Sequence, residues 1–220
     1  MIQSKLMKKI SIVRPTCLLD SHFLKDIYKV VRKTDKENWS YFPEENENEF
    51  TLDFLNYGEL TRLIYVNNYP VAYVNCYLLK PNAHILLKDD YYHSVGLSLS
   101  DLRVTYDGVN KSYRRNSLYI NVVAIVKEYQ GSIDILKAIA DALYDIIRFD
   151  LFYSTTSYSY PENVYAVAIT RNGARMCDFF DFVKKGKSIR VLDGIENERN
   201  LYKGNMDIVV NKLEKINRSK

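Results

Sequence analysis

Side chains able to do chemistry are sparse in this 220-residue chain. Cys17, Cys76 and Cys177 are odd in number, far apart and never in a CxxC pair. They fit a reduced set of thiols, neither a disulfide framework nor a zinc site. His22, His84 and His93 do not fall at metal-ligand spacing with carboxylates, and His93 beside Asp89 and Asp90 is either a substrate contact or a solvated loop residue. There is no GxSxG, no GxxxxGK[ST] and no HExxH, so hydrolase, NTPase and zinc-enzyme chemistry have no support. Lys111 to Arg115, with Tyr113 between its cations, has the aromatic and basic mix of nucleic-acid surfaces, but 31 basic against 27 acidic residues give too little charge bias to expect a nucleic-acid partner. Tyrosine is the outlier, with 19 Tyr against 9 Phe and 1 Trp. Its apolar body and polar tip suit pocket walls and interfaces, although the codon bias of an AT-rich genome would produce the same excess.

These residues must be positioned by ordinary globular material, 47% hydrophobic and 26% charged, of a length suited to a single domain over residues 1–220. No apolar run could span a bilayer, and the first ten residues hold no signal-peptide core. The expectation is a cytoplasmic protein without a membrane partner. Ile10 to Arg14 alternates as a short strand, and apolar spacing of three and four predicts a helix from Asp20 to Arg32. A loop from Lys33 to Asn48 and a short helix from Phe50 to Tyr57 follow. Glu59–Val66 and Pro70–Leu79 form a hairpin across Asn67-Asn68-Tyr69, since Asn tolerates left-handed turn conformations. Residues 81–117 resist assignment beyond one or two strands. Leu118 to Val126 is a nearly continuous β-branched run, expected of a strand buried on both faces. A long helix with Ile133, Leu136, Ile139, Leu143 and Ile147 on one stripe follows. A strand at Leu151–Ser154 would complete a βαβ unit. Pro161-Glu162 predicts a further helix reaching Phe180. Phe180–Val183 and Ser188–Leu192 predict a hairpin across Lys184–Lys187, and 206–216 a C-terminal amphipathic helix.

The order of elements resembles the GCN5-related N-acetyltransferase (GNAT) family, and Val126-Lys-Glu-Tyr-Gln-Gly131 carries the likeness. The family's corresponding motif is V-x-x-x-(R/Q)-G-x-G-x-(G/A), opening the long helix after a central strand. Ala174-Arg-Met-Cys-Asp-Phe-Phe-Asp-Phe182 is similar to the family's A-x-x-L-Y-x-x-x-G-F at the end of the last helix. The resemblance implies an α/β fold with a GNAT-like mixed central sheet flanked by helices, here with an insertion, about 81–117, between the third and fourth core strands. It also implies acetyl-CoA or another acyl-CoA as co-substrate, its pyrophosphate held by amides at a helix N-terminus. The splayed end of the buried strand, around Val123 to Val126, would pair with the pantetheine arm, with Ala124 and Val126 among the cofactor-binding residues, and Gln130, Gly131, Ser132, Ile133 and Ile135 would lie around the phosphates. Ile133 and Ile135 stand where the motif has glycine, and Asp134 adds a negative charge there unless it turns back as a helix cap.

The activity so implied is acyl transfer to an amine of a small molecule or peptide by direct attack. Asn121 could position water though it cannot act as a base. Cys177, at the family's tyrosine position, or Tyr153 in the segment after the helix would supply the acid. Asp181 replaces the family's glycine. A GNAT-like module that has lost CoA binding and serves a protein partner is the alternative, and a homodimer is compatible with either.

Overall fold

The computed structural model describes residues 9–15, 21–38, 60–79, 83, 102–103, 117–152, 161–192 and 195–218. β1 (Ile10–Val13), β2 (Thr61–Val66) and β3 (Tyr69–Leu79) pair antiparallel in that order. The β2–β3 turn is two residues long: Asn67 and Asn68 take φ of 51° and 64°, the left-handed pair of a type I′ turn, and Tyr69 already belongs to β3. α1 (Ser21–Asn38) extends beyond Arg32 into the expected loop. Thr34 continues the buried stripe of Phe23, Ile27, Val30 and Val31, and its hydroxyl donates back to the Val30 and Val31 carbonyls. The expected helix at Phe50–Tyr57 lies outside the described residues. Of the expected insertion, the described part includes a buried Ala83 and β4 (Leu102–Arg103), which pairs with Leu78 and Leu79 of β3.

β5 (Ser117–Ile125) leads through a single turn of 3-10 helix, Lys127–Tyr129, into α2 (Ile133–Asp145). α2 continues as a π-helix over Ile146–Phe152. This corrects the start of the strand expected at Leu151–Ser154, whose last two residues lie outside the described ones: the widened turn keeps Ile146, Ile147 and Leu151 all buried, an apolar spacing that imitates a new element. The parallel partner of β5 is instead β6 (Asn163–Ala168), where a helix was expected from Pro161. Its two valines and tyrosine favour a strand, and Val164, Tyr165, Ala166 and Ala168 are buried in the sheet. Helix begins only at α3 (Arg171–Phe179), capped by Thr170, whose hydroxyl accepts the Gly173 N–H at 3.1 Å. The final hairpin is also displaced. β7 (Val183–Leu192) pairs with β8 (Ile195–Asn205), so Lys184–Lys187 lies within a strand, and α4 (Met206–Arg218) follows.

The sheet order is β1-β2-β3-β5-β6-β8-β7, antiparallel except for β5–β6, with β4 attached to β3. Side-chain alternation along β2 divides the faces. Tyr65 donates to Asp26 of α1, whereas Arg62 reaches Asp145 at the end of α2. α4 packs against α2. One close approach has a measurable consequence. A Cβ added at Gly204 of β8 would lie 2.3 Å from the buried Phe182 ring. Gly204→Ala is therefore expected to lower the unfolding free energy by roughly 1–3 kcal/mol in urea denaturation, because the ring has to leave its packed position.

Candidate active site

β5 and β6 pair over only four positions, from Ser117↔Asn163 to Ile120↔Ala166. Beyond them β5 continues to Ile125 on β3, while β6 continues to Ala168 on β8. The two central strands therefore part, and among the described residues the β6 side of Asn121–Ile125 meets no strand. The register of β5 on β3 shifts at the same place: Asn75 faces Val122 and Cys76 faces Ile120, which leaves Asn121 as the extra residue of a β-bulge.

The direction of the backbone groups follows from one hydrogen bond. Val126 N–H donates to the Val71 carbonyl at 2.9 Å. Peptide groups alternate along a strand, so Ala124 and Val126 turn theirs toward β3, and Val123 and Ile125 turn theirs into the opening. Within the expected stretch from Val123 to Val126, the peptide groups of Val123 and Ile125 thus face the opening, and those of Ala124 and Val126 face β3. Gln130 is exposed, and its side-chain amide donates to the Ile125 carbonyl at 3.1 Å, tying the turn to the strand end.

The turn then opens α2. Tyr129, Gln130 and Ser132 N–H groups are taken by the carbonyls of Val126, Lys127 and Tyr129. Ser132 therefore contributes a cap position and a hydroxyl without a capping bond, and its amide is occupied. Leu136 makes the first bond back, to the Ser132 carbonyl, at 3.0 Å. Among the described residues, the N–H groups of Gly131, Ile133, Asp134 and Ile135 thus remain open, at the positive end of a helix 13 residues long before its π extension. Gly131 takes φ of +79°, and a Cβ there would meet nothing within 4 Å. The glycine is required by its backbone conformation and leaves the approach to the amides clear. Ile133 is exposed and Ile135 is buried in the core, so their side chains do different work: Ile135 anchors the helix and Ile133 borders the turn. Asp134 is exposed, and the capping position belongs to Ser132. Lys33 of α1 bonds Glu128 at 2.7 Å and holds its carboxyl below the usual range, which neutralises one acidic group beside the turn.

Cys177 is not presented to this opening. It is buried on α3, and burial, with the Asp178 charge adding to it, pushes the thiol up to about 12. It is then a weaker acid than an ordinary thiol and could not readily protonate a thiolate leaving group. Its place is in the core. Asp181 keeps the backbone of the glycine it replaces, at φ of +56°, with Phe182 N–H returning to the Cys177 carbonyl at 2.9 Å to close α3. Tyr153 lies outside the described residues. Thr61 and Asn75 were missed: Asn121 donates to Asn75 Oδ1 and Asn75 donates to Thr61 Oγ1, each at 2.9 Å, linking β5, β3 and β2 at the bulge. A buried asparagine in the apolar run of β3 was the available signal.

Solved proteins share the backbone that carries this arrangement. The N-acetyltransferase from Staphylococcus aureus Mu50 superposes with a TM-score of 0.55 at 9% identity, over 90% of this chain and 99% of that one. The loading GNATL domain of CurA from Lyngbya majuscula gives 0.54 at 12% identity, over 90% and 98%. The chain has the GNAT fold. The Arabidopsis thaliana NAA60 structure in complex with acetyl-CoA shares this GNAT fold at a TM-score of 0.52 and 13% identity, over 91% of this chain and 99% of that one. No family model matches the chain, and no curated protein matches it in sequence. The GNAT likeness is therefore one of backbone, with the α/β fold, mixed sheet and flanking helices expected from the sequence present throughout.

Proposed function

We propose that this chain binds an acyl-CoA, most simply acetyl-CoA, and transfers its acyl group to an amine of a small molecule or peptide. The observation that carries the reading is the coincidence of the β5–β6 opening with the open amides of Gly131, Ile133, Asp134 and Ile135. The residues present fit the cofactor. Those amides would hold the pyrophosphate, and Val123 and Ile125 would pair with the pantetheine arm as an added strand does. When bound, the cofactor supplies an activated acyl thioester, and the chain's part is to orient it against the amine. Solved proteins of the same fold support the class: Arabidopsis thaliana NAA60 is in complex with acetyl-CoA, and the NatC complex is bound to Gag peptide and CoA. The second reading, a module without CoA binding, draws on Asp134 in the first turn of α2 and on the burial of Cys177.

Titration calorimetry separates them. Saturable binding of CoA at micromolar concentrations is expected, weakening as salt rises because phosphate contacts are screened. No heat at millimolar CoA would sink the acyltransferase reading.

A further inference from the structure

The polar row under the opening has a direction. Thr61 is 1% exposed and Asn75, between Val74 and Cys76, 6%, and Asn121 is half-buried at the bulge. Asn121 Nδ2 donates to Asn75 Oδ1, and Asn75 Nδ2 donates to Thr61 Oγ1. Both amide donors therefore point away from the opening, and among the described residues nothing donates to Asn121 Oδ1. Two buried polar side chains in central strands carry a desolvation cost that apolar residues would avoid, and their hydrogen bonds only offset it. What the row adds is orientation: with Thr61 Oγ1 accepting from Asn75, it is Asn75 Oδ1 that is presented to Asn121, and the Asn121 amide lies with its nitrogen toward β3.

We infer that Thr61 and Asn75 are positioning residues, which hold the Asn121 amide so that its carbonyl oxygen faces the opening and accepts an N–H of the incoming amine. This rests on the acyltransferase reading above. Asn121 takes no proton. The amine lone pair forms the new C–N bond to the acyl carbon, the C–S bond breaks with its electron pair left on sulfur, and the extra proton on nitrogen passes to water. The row directs the lone pair by holding one N–H, an effect on orientation and not on acidity.

The test uses the full chain, with thiol release from acetyl-CoA in the presence of a pool of unblocked peptides as the activity and calorimetry with CoA as the control. Thr61→Val and Asn75→Leu are expected to leave CoA affinity within about twofold and to lower kcat by roughly tenfold or more, with the KM for acetyl-CoA unchanged, since misplacing a reacting group acts on the chemical step. Thr61→Ser, which keeps the acceptor, should restore the rate, and the pH profile should keep its shape in every variant. Side-chain amide NMR gives a second reading: the Asn121 NH2 should be protected from exchange in the wild type, less so in Thr61→Val, and protected again in Thr61→Ser. If Asn75→Leu does not fold, Thr61→Val carries the test alone. Wild-type kcat in Thr61→Val, or unchanged Asn121 protection, overturns the inference. So does saturable CoA binding without thiol release, whereas absence of CoA binding overturns the reading beneath it.

Discussion

Arg62→Leu is expected to lower the unfolding free energy by about 3 kcal/mol, which for a chain of this length corresponds to a fall of roughly 6–12 °C in Tm. Arg62 is 1% exposed, and all of its bonding is internal. Its Nε bonds Asp145 at 2.5 Å, one terminal nitrogen bonds Asp150, and the other donates to the Thr61 carbonyl at 2.9 Å. The π-helix makes this arrangement possible, because i→i+5 bonding stacks residues five apart and so sets Asp145 and Asp150 on the same side. Burial raises the Asp150 carboxyl, and the Arg62 guanidinium opposes that rise. Removing the cation leaves the burial and loses the opposition. A carboxyl whose pKa is raised in the folded state favours folding below its unfolded pKa and loses that contribution as pH rises through the folded value. The deficit of Arg62→Leu should accordingly be large at pH 7 and smaller near pH 4. Denaturation in urea at both pH values measures it. Replacing Asp145 and Asp150 by Asn in the same chain should recover part of the loss, since the cost lies mainly in the unpaired carboxylates. An Arg62→Leu protein as stable as the wild type at pH 7 would show that the ion pairs contribute nothing.

Elements whose determinants are local were legible in the sequence. Two asparagines are sufficient chemistry for a two-residue I′ turn, and the β2–β3 hairpin follows. The β-branched run of β5 and the glycine turn opening α2 were legible for the same reason, as was the amphipathic stripe of α4. Errors concentrate where a local signal competes with the sheet. Pro161-Glu162 is a good helix start, yet Val164, Tyr165 and Ala166 are buried between β5 and β8, and sheet packing prevails over capping chemistry. Lys184-Lys-Gly-Lys187 looks like a turn, but β7 runs through it to Leu192 and pairs with β8 along its length.

The site was legible in one half only. Gly131 and the start of α2 could be located from sequence because one backbone conformation requires that glycine. The opening between β5 and β6 was implied only by the family resemblance, since it depends on where pairing stops between strands separated by a helix and a π-turn. The Asn75–Thr61 partnership likewise depends on the β2–β3 register, although a polar residue inside Val-Asn-Cys already asks for a partner. Cys177 shows the converse error: its place in a motif suggested an acid, and only burial assigns it to packing.

Ser132→Glu is expected to weaken CoA binding by a hundredfold or so, and Asp134→Asn to strengthen it severalfold. The two substitutions change the charge at the start of α2 by −1 and +1 and touch little else: Ser132 makes no side-chain capping bond, and Asp134 is exposed. Near a protein surface a unit charge a few ångströms from a phosphate is worth on the order of 1–3 kcal/mol, and each 1.4 kcal/mol is tenfold in Kd. Glutamate at position 132 acts through charge and also through bulk, since its carboxylate can reach the amides that a phosphate would use. Asparagine at position 134 removes repulsion without adding a contact, so its gain is smaller and should fade as salt rises. Calorimetry at two salt concentrations distinguishes this from a change in folding, which thermal melting of the free proteins would report. If CoA binds and neither substitution moves its affinity, the pyrophosphate is not at the start of α2, and the open amides of Gly131, Ile133, Asp134 and Ile135 serve another anion or none.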